Sequence, residues 1–362
     1  MRKFEIGGIS IPVPVIQGGM GVGISMSGLA VAVANQGGVG VISAAGLGLV
    51  HRNPALDYLE ANMEGLRIEL RKAREKTMGV IGVNIMVAMT NFADLVRTAI
   101  TEKADIIFSG AGLPLDLPSF LKPGSLTKLV PIISSARAAK ILCEKWKTLH
   151  NYLPDAFVVE GPKAGGHLGF KRDNIGDVNY SLEELVPEVV KEVSFYEQKY
   201  GKEIPVIAAG GIYTGQDIYN IMQKGARGVQ MGTRFVTTKE CDASMEFKQA
   251  YIDSVESDIE IIQSPVGMPG RAVNSSFLDK VKLGLKVPIK CPFHCIKTCD
   301  VSSSPYCIIT ALYNAYRGNM KNGYAFAGSN AYLATKITTV KEIFSELLGD
   351  FQQAVSKAQK KF

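Results

Sequence analysis

The sequence predicts an α/β protein, a (β/α)8 TIM barrel followed by a C-terminal helical, cysteine-containing cap. Three observations carry this. Short apolar, β-branched runs recur eight times over about 220 residues, close to the ~250 residues typical of the fold. They do not alternate polar with apolar, as expected of strands covered on both faces. Glycines stand at the ends of several runs, whereas a doubly wound open sheet, the competing architecture, would gather them at one switch point.

The runs occupy 12–16, 38–42, 79–84, 105–108, 129–133, 156–159, 205–208 and 228–231. Helix-compatible segments at 27–36, 91–102, 135–149 and 215–224 lie between them. Two helical insertions are expected near 52–76 and 170–202, the second holding a helix over 181–200. The barrel is thus placed at 1–239. The remainder, 240–362, reads as a cap packed on it, with helices at 308–317 and 340–358 and no Pro/Gly/Ser-rich linker to mark an independent domain.

A chain of 362 residues with 46% hydrophobic and 20% charged content can bury a substantial core. Lys and Arg exceed Asp and Glu by 40 to 34, part of the excess lying in the closing run at 357–362. That excess is too dilute, and too free of interleaved aromatics, for nucleic acid. It favours acidic or phosphorylated small molecules. Residues 1–8 carry early charge and no apolar signal-peptide core, and no run reaches the ~20 apolar residues of a membrane span. A cytoplasmic enzyme with neither membrane nor nucleic-acid partner is the expectation. Its six cysteines are then thiols or ligands before they are disulfides.

The chemistry concentrates after the strands. Glu160-Gly161-Pro162-Lys163-Ala164-Gly165-Gly166-His167-Leu168-Gly169 follows the sixth run as a glycine-lined turn. Bare backbone there admits a planar ligand, and the imidazole is the side chain whose ordinary pKa lies nearest neutrality. His167 is therefore the candidate acid/base. His51, His150 and His294 lack such surroundings and read as structural. Gly18-Gly19-Met20 follows the first run, Asn84 ends the third and Ser109-Gly110-Ala111-Gly112 follows the fourth. Any one of these glycines could merely permit a tight turn; as a set they point to a ligand, with Asn84 offering a donor and an acceptor to a heterocycle edge. Gly210-Gly211 and Gly232-Thr233 end the seventh and eighth runs, the loops between which barrels frequently hold a phosphate.

Cys291, Cys295, Cys299 and Cys307 stand at C-x3-C-x3-C-x7-C. This matches neither the usual ferredoxin runs nor a paired C-x2-C zinc site, and leaves unligated thiols, an iron–sulfur cluster and zinc open.

Gln17-Gly18-Gly19-Met20, Gly82-Val83-Asn84, the 160–169 turn, Ala208-Ala209-Gly210-Gly211-Ile212 and Gly228-Val229-Gln230-Met231-Gly232-Thr233-Arg234 resemble the nitronate monooxygenases, formerly 2-nitropropane dioxygenases, over roughly residues 5–275. The resemblance implies a flavoprotein barrel in which Gly18, Gly19, Met20, Asn84, Glu160, Gly165 and Gly166 surround FMN. Gly210, Gly211, Gly232 and Thr233 would hold its phosphate, and His167 would be the acid/base. The family includes enoyl-acyl-carrier-protein reductase II and NAD(P)H:quinone reductases, and the Gln-Gly-Gly-Met form looks closer to the enoyl reductase. The expected activity is oxidation of alkyl nitronates by oxygen. Alternatives are NAD(P)H-dependent reduction of an acyl-thioester alkene, quinone reduction, or a barrel that binds a phosphate ligand without redox chemistry. A homodimer is left open as the assembly. Lys163, where a carboxylate is common, and the cysteine segment depart from the family pattern.

Overall fold

A computed structural model describes residues 4–285 and 291–360; residues 1–3 of the opening run and 361–362 of the closing basic run lie outside them. Eight parallel strands close into a barrel, in chain order Val15–Gln17, Val39–Ser43, Val80–Met86, Ile106–Gly110, Lys128–Ile133, Phe157–Glu160, Val206–Ala209 and Gly228–Met231. The last pairs back onto the first through Gln230 and Ile16. All eight expected runs become these strands, within a few residues.

Their unbroken apolarity has a simple cause. Ile106 and Phe108 point into the barrel with Val39, Val41, Val130, Val158 and Ile207, while Ile107 joins Val83, Leu129 and Val159 beneath the helices. Each strand buries both faces, so period-two patterning has no polar member. Gly82 makes room for the Phe108 ring, since a Cβ there would stand 2.7 Å from it.

The N-terminal hairpin Phe4–Ile6 and Ile9–Ile11 was absent from the sequence reading; Phe4, Ile6 and Ile11 join the barrel-interior cluster. Both expected insertions supply ring helices. Tyr58–Lys76 packs between Ser27–Asn35 and Phe92–Thr101, and Leu182–Tyr200 packs on Ala136–His150 and Gly215–Gln223. The final helix, Val340–Gln359, packs on Gly215–Gln223 and Ser27–Asn35 and so completes the ring. Between strand eight and this helix, the segment expected to be helical also contains the antiparallel strands Ile259–Gln263 and Pro269–Val273. They extend to a two-residue strand, Gly166–His167, from the loop after strand six.

Candidate active site

The residues nominated by the sequence for cofactor and acid/base roles, Gly18, Gly19, Met20, Asn84, Glu160, Gly165, Gly166, His167, Gly210, Gly211, Gly232 and Thr233, line one cavity. The cavity is built from the loops that follow the barrel strands and from the segment between strand eight and the final helix. The parallel register places Asn84 beside Ser43 on one side and Phe108 on the other. A Cβ on Gly19 would fall 2.3 Å from the Asn84 Cβ, so only glycine passes there. Glu160 ends strand six; burial pushes its carboxyl up to about 7.

At another part of the cavity wall, Gly210 and Gly211 adopt φ of +97° and +81°, a region that favours glycine. A Cβ on Gly210 would meet the Gly161 carbonyl oxygen at 2.9 Å and the Ala164 nitrogen at 3.0 Å. Three polar contacts that the sequence did not reveal tie this end together. The Gly328 N–H donates to Thr233 Oγ1 at 3.0 Å, Asn330 Nδ2 to the Gly211 carbonyl at 2.8 Å, and the Ser329 N–H to the Lys163 carbonyl at 3.1 Å. Bare glycine backbone, a threonine hydroxyl, an amide and the Lys163 side chain form a donor set suited to an anion.

His167 does not sit in a free turn, as expected from its glycine neighbours. It pairs across from Gly270 on Pro269–Val273, while Gly166 faces Arg271, so the segment after strand eight holds the imidazole in a sheet. The ring packs edge-on to Phe326 at 5.0 Å between centroids, and Nε2 lies 2.8 Å from Ser264 Oγ. Ser264 is set by its own turn: its N–H donates to the Met268 carbonyl and its carbonyl accepts from Gly267, each at 3.0 Å. Burial lowers the His167 pKa to about 4, which keeps the imidazole neutral at pH 7.

Arg271 buries its guanidinium beneath the same turn. Nη1 donates to the carbonyls of Pro162 and Ala164, both at 2.6 Å. Ser264 and Arg271 escaped the sequence reading because they lie about a hundred residues from the groups they hold. The one local signal was an apolar strand, Gly267 and a second strand, a hairpin signature inside the segment read as helical.

His51 is paired with Glu69 at 2.8 Å, away from the cavity. All six cysteines are free thiols. Among the described residues, no three His, Cys, Asp or Glu side chains form a group able to hold a metal ion. Cys295 lines the cavity beside Ile296.

Comparison with known proteins adds an independent line. The family model for nitronate monooxygenase matches residues 2–350. A probable nitronate monooxygenase of Staphylococcus aureus (strain Newman) is 30% identical over 301 residues, spanning 75% of this chain and 78% of that protein. Among solved structures, FabK from Thermotoga maritima is 27% identical with a TM-score of 0.74, covering 97% of this chain and 96% of its own. Nitroalkane oxidase from Streptomyces ansochromogenes shares the fold at 20% identity and a TM-score of 0.73, covering 96% of this chain and 98% of its own.

Proposed function

Because this chain belongs to the nitronate monooxygenase family, we propose that it is an FMN-dependent oxidoreductase whose chemistry takes place beside His167. Glycine-lined backbone at the cavity wall supports that cofactor. At Gly19, Gly210 and Gly211 a side chain would collide with Asn84, Ala164 or Lys163, and these close approaches leave bare backbone facing the cavity. In this reading Gly18, Gly19, Met20, Asn84, Glu160, Gly165 and Gly166 surround the isoalloxazine, and Gly210, Gly211, Gly232 and Thr233 hold the phosphate. Bound FMN would supply the two-electron redox chemistry.

The protein's own contribution is proton management. An imidazole lining the cavity with its Nε2 held 2.8 Å from Ser264 Oγ is placed to take a proton from a nitroalkane, and this is the observation that favours oxidation of a nitroalkane or its nitronate, with oxygen as the final acceptor. Ser264 follows that proton: its oxygen accepts from a protonated Nε2, and its O–H donates to a bare one. Lys163, in the same cavity, offers a cation to an anionic ligand.

A second reading has its own support. Beyond His167 the cavity wall is apolar, formed by Val266, Ile296, Ile308, Ile309, Leu312 and Phe326, a surface fit for the chain of an enoyl thioester. NAD(P)H would then be the electron donor, and the reacting alkene would lie beside the His167–Ser264 pair.

Anaerobic mixing of the yellow protein with NADPH, NADH or an alkyl nitronate, followed at the flavin absorbance, separates these readings. Bleaching by the nitronate alone supports the oxidase. Rapid bleaching by a nicotinamide supports a reductase and directs assays to enoyl thioesters and quinones. Protein that neither carries nor takes up FMN would sink both, leaving a barrel for a phosphate ligand without redox chemistry.

A further inference from the structure

Among the described residues that line the cavity, Lys163 is the only lysine or arginine and Glu160 the only aspartate or glutamate. Lys163 is exposed, and no carboxylate of the described residues forms an ion pair with it. Its backbone is nevertheless fixed. The Ala164 N–H donates to the Gly161 carbonyl and the Ser329 N–H to the Lys163 carbonyl, each at 3.1 Å. The side chain then runs across Gly211: a Cβ built on that glycine would stand 2.9 Å from both Cβ and Cδ of Lys163. Asn330 Nδ2 holds the Gly211 carbonyl at 2.8 Å, so the lysine stem, Gly211 and residues 328–330 meet at one end of the cavity.

The same end presents donors that have nothing to donate to. Among the described residues the N–H groups of Gly211 and Gly232 have no acceptor. Backbone donors away from water are ordinarily paired, so two left open on one wall point to a ligand that supplies the acceptor. Thr233 Oγ1 accepts from the Gly328 N–H at 3.0 Å, which leaves the hydroxyl proton for a further acceptor. Two open N–H groups, a hydroxyl and an ammonium without a carboxylate partner make a site for an anion of more than one charge.

We propose that Lys163 is the residue by which this cavity selects a phosphorylated flavin over an unphosphorylated one, its ammonium acting as counter-ion to a phosphate against Gly211. The inference rests on the FMN reading above and assigns the charge recognition within it to one side chain. The backbone N–H groups and Thr233 are neutral and serve any acceptor. A phosphate monoester carries roughly two negative charges at pH 7, and in this cavity only Lys163 answers them with a fixed positive charge. An ammonium is a compact charge on a flexible stem. Packing of that stem on Gly211 reduces the freedom it would lose on meeting the phosphate.

The test is titration of full-length protein, freed of flavin, with FMN and with riboflavin, which share the isoalloxazine and differ in the phosphate, at low and high salt. Lys163→Met keeps an apolar stem over Gly211 and removes the charge. It should bind FMN roughly tenfold more weakly than wild type, the low end for a bond between charged groups because Lys163 is exposed. Its riboflavin affinity should match wild type, which also shows that the cavity is intact. The salt dependence of FMN binding should largely disappear in Lys163→Met and return, with the affinity, in Lys163→Arg. Equal FMN affinity in wild type and Lys163→Met would overturn the proposal. An equal loss of FMN and riboflavin would do so too, since it would make Lys163 a part of the wall and not a reader of charge. Wild-type protein that binds neither flavin would sink the FMN reading and this inference with it, whereas tight FMN binding untouched by Lys163→Met would sink this inference alone.

Discussion

Nε2 of His167 and Oγ of Ser264 stand 2.8 Å apart although 97 positions separate them in the chain. One residue comes from the loop after strand six and the other from the hairpin that follows strand eight. The candidate acid/base is thus oriented by a part of the protein outside the eight βα repeats.

Replacing the two residues should therefore have graded effects. His167→Ala should retain FMN and lose about 10²- to 10⁴-fold in turnover, the range for a positioned acid/base. Ser264→Ala should also retain FMN, lose roughly 10-fold in kcat because the ring is less well held, and regain part of it in Ser264→Thr. Steady-state kinetics on protein of matched FMN content decide the matter. Wild-type turnover in His167→Ala would remove this residue from the mechanism.

The glycine after strand one makes a sharper structural prediction. Gly19→Ala would drive a Cβ to 2.3 Å from the Asn84 Cβ, an atom fixed by a central strand. We expect FMN retention to fall at least ~10-fold and stability to drop by about 1–3 kcal/mol, the usual cost of overpacking. Gly176→Ala meets no atom within 4 Å and should change neither. Equilibrium denaturation and flavin content after gel filtration are the readouts; equal behaviour of the two variants would refute the close approach.

These residues also show what could be read from the chain and what could not. The eight strands were legible because both faces of each are buried, so the apolar runs were unbroken. The cavity glycines were legible because they gather at strand ends. The N-terminal hairpin was missed despite its signal, Gly7-Gly8 between Phe4-Glu5-Ile6 and Ile9-Ser10-Ile11, a two-residue turn between short alternating strands. The His167 sheet was not legible locally, since its third strand is two residues long and pairs with a hairpin about a hundred positions away. Gly328 and Asn330 carry no motif, and only folding brings them to Thr233 and Gly211.

Two cavity groups should tilt stability with pH in opposite directions in the cofactor-free protein. His167 falls from 6.5 to about 4, so folding favours its neutral form. Its contribution is complete above pH 6.5 and is lost as pH falls from there toward 4. Glu160 rises from 4.5 to about 7, so folding favours its protonated form. That contribution is complete below pH 4.5 and is lost as pH rises through 7. Melting temperatures measured from pH 4 to 8 should show a flatter acid side in His167→Ala and a flatter neutral side in Glu160→Gln, each relative to wild type. The acid limb of kcat/KM should likewise lie nearer pH 4 than 6.5; a limb at 6.5 would mean that His167 is solvated during catalysis.

Arg271 provides the last prediction, because its buried guanidinium joins two carbonyls of one turn. Nη1 donates at 2.6 Å to both Pro162 and Ala164, while the Arg271 backbone pairs with Gly166. One residue therefore couples the start of the glycine-rich turn to the strand that carries His167. Arg271→Met keeps the apolar stem and leaves both carbonyls without their donor. Since hydrogen bonds from charged groups contribute about 1.5–3 kcal/mol each, a loss of roughly 2–4 kcal/mol is expected after partial relaxation. Arg271→Lys should recover only part of this, since an ammonium on a flexible stem lacks the planar fork of the guanidinium. Looser geometry at Gly165 and Gly166 should weaken FMN binding in the same order, wild type tightest and methionine weakest. Urea unfolding of cofactor-free protein and FMN titration by fluorescence quenching give the two rankings independently. A methionine variant as stable as wild type would show that this guanidinium does not hold the turn.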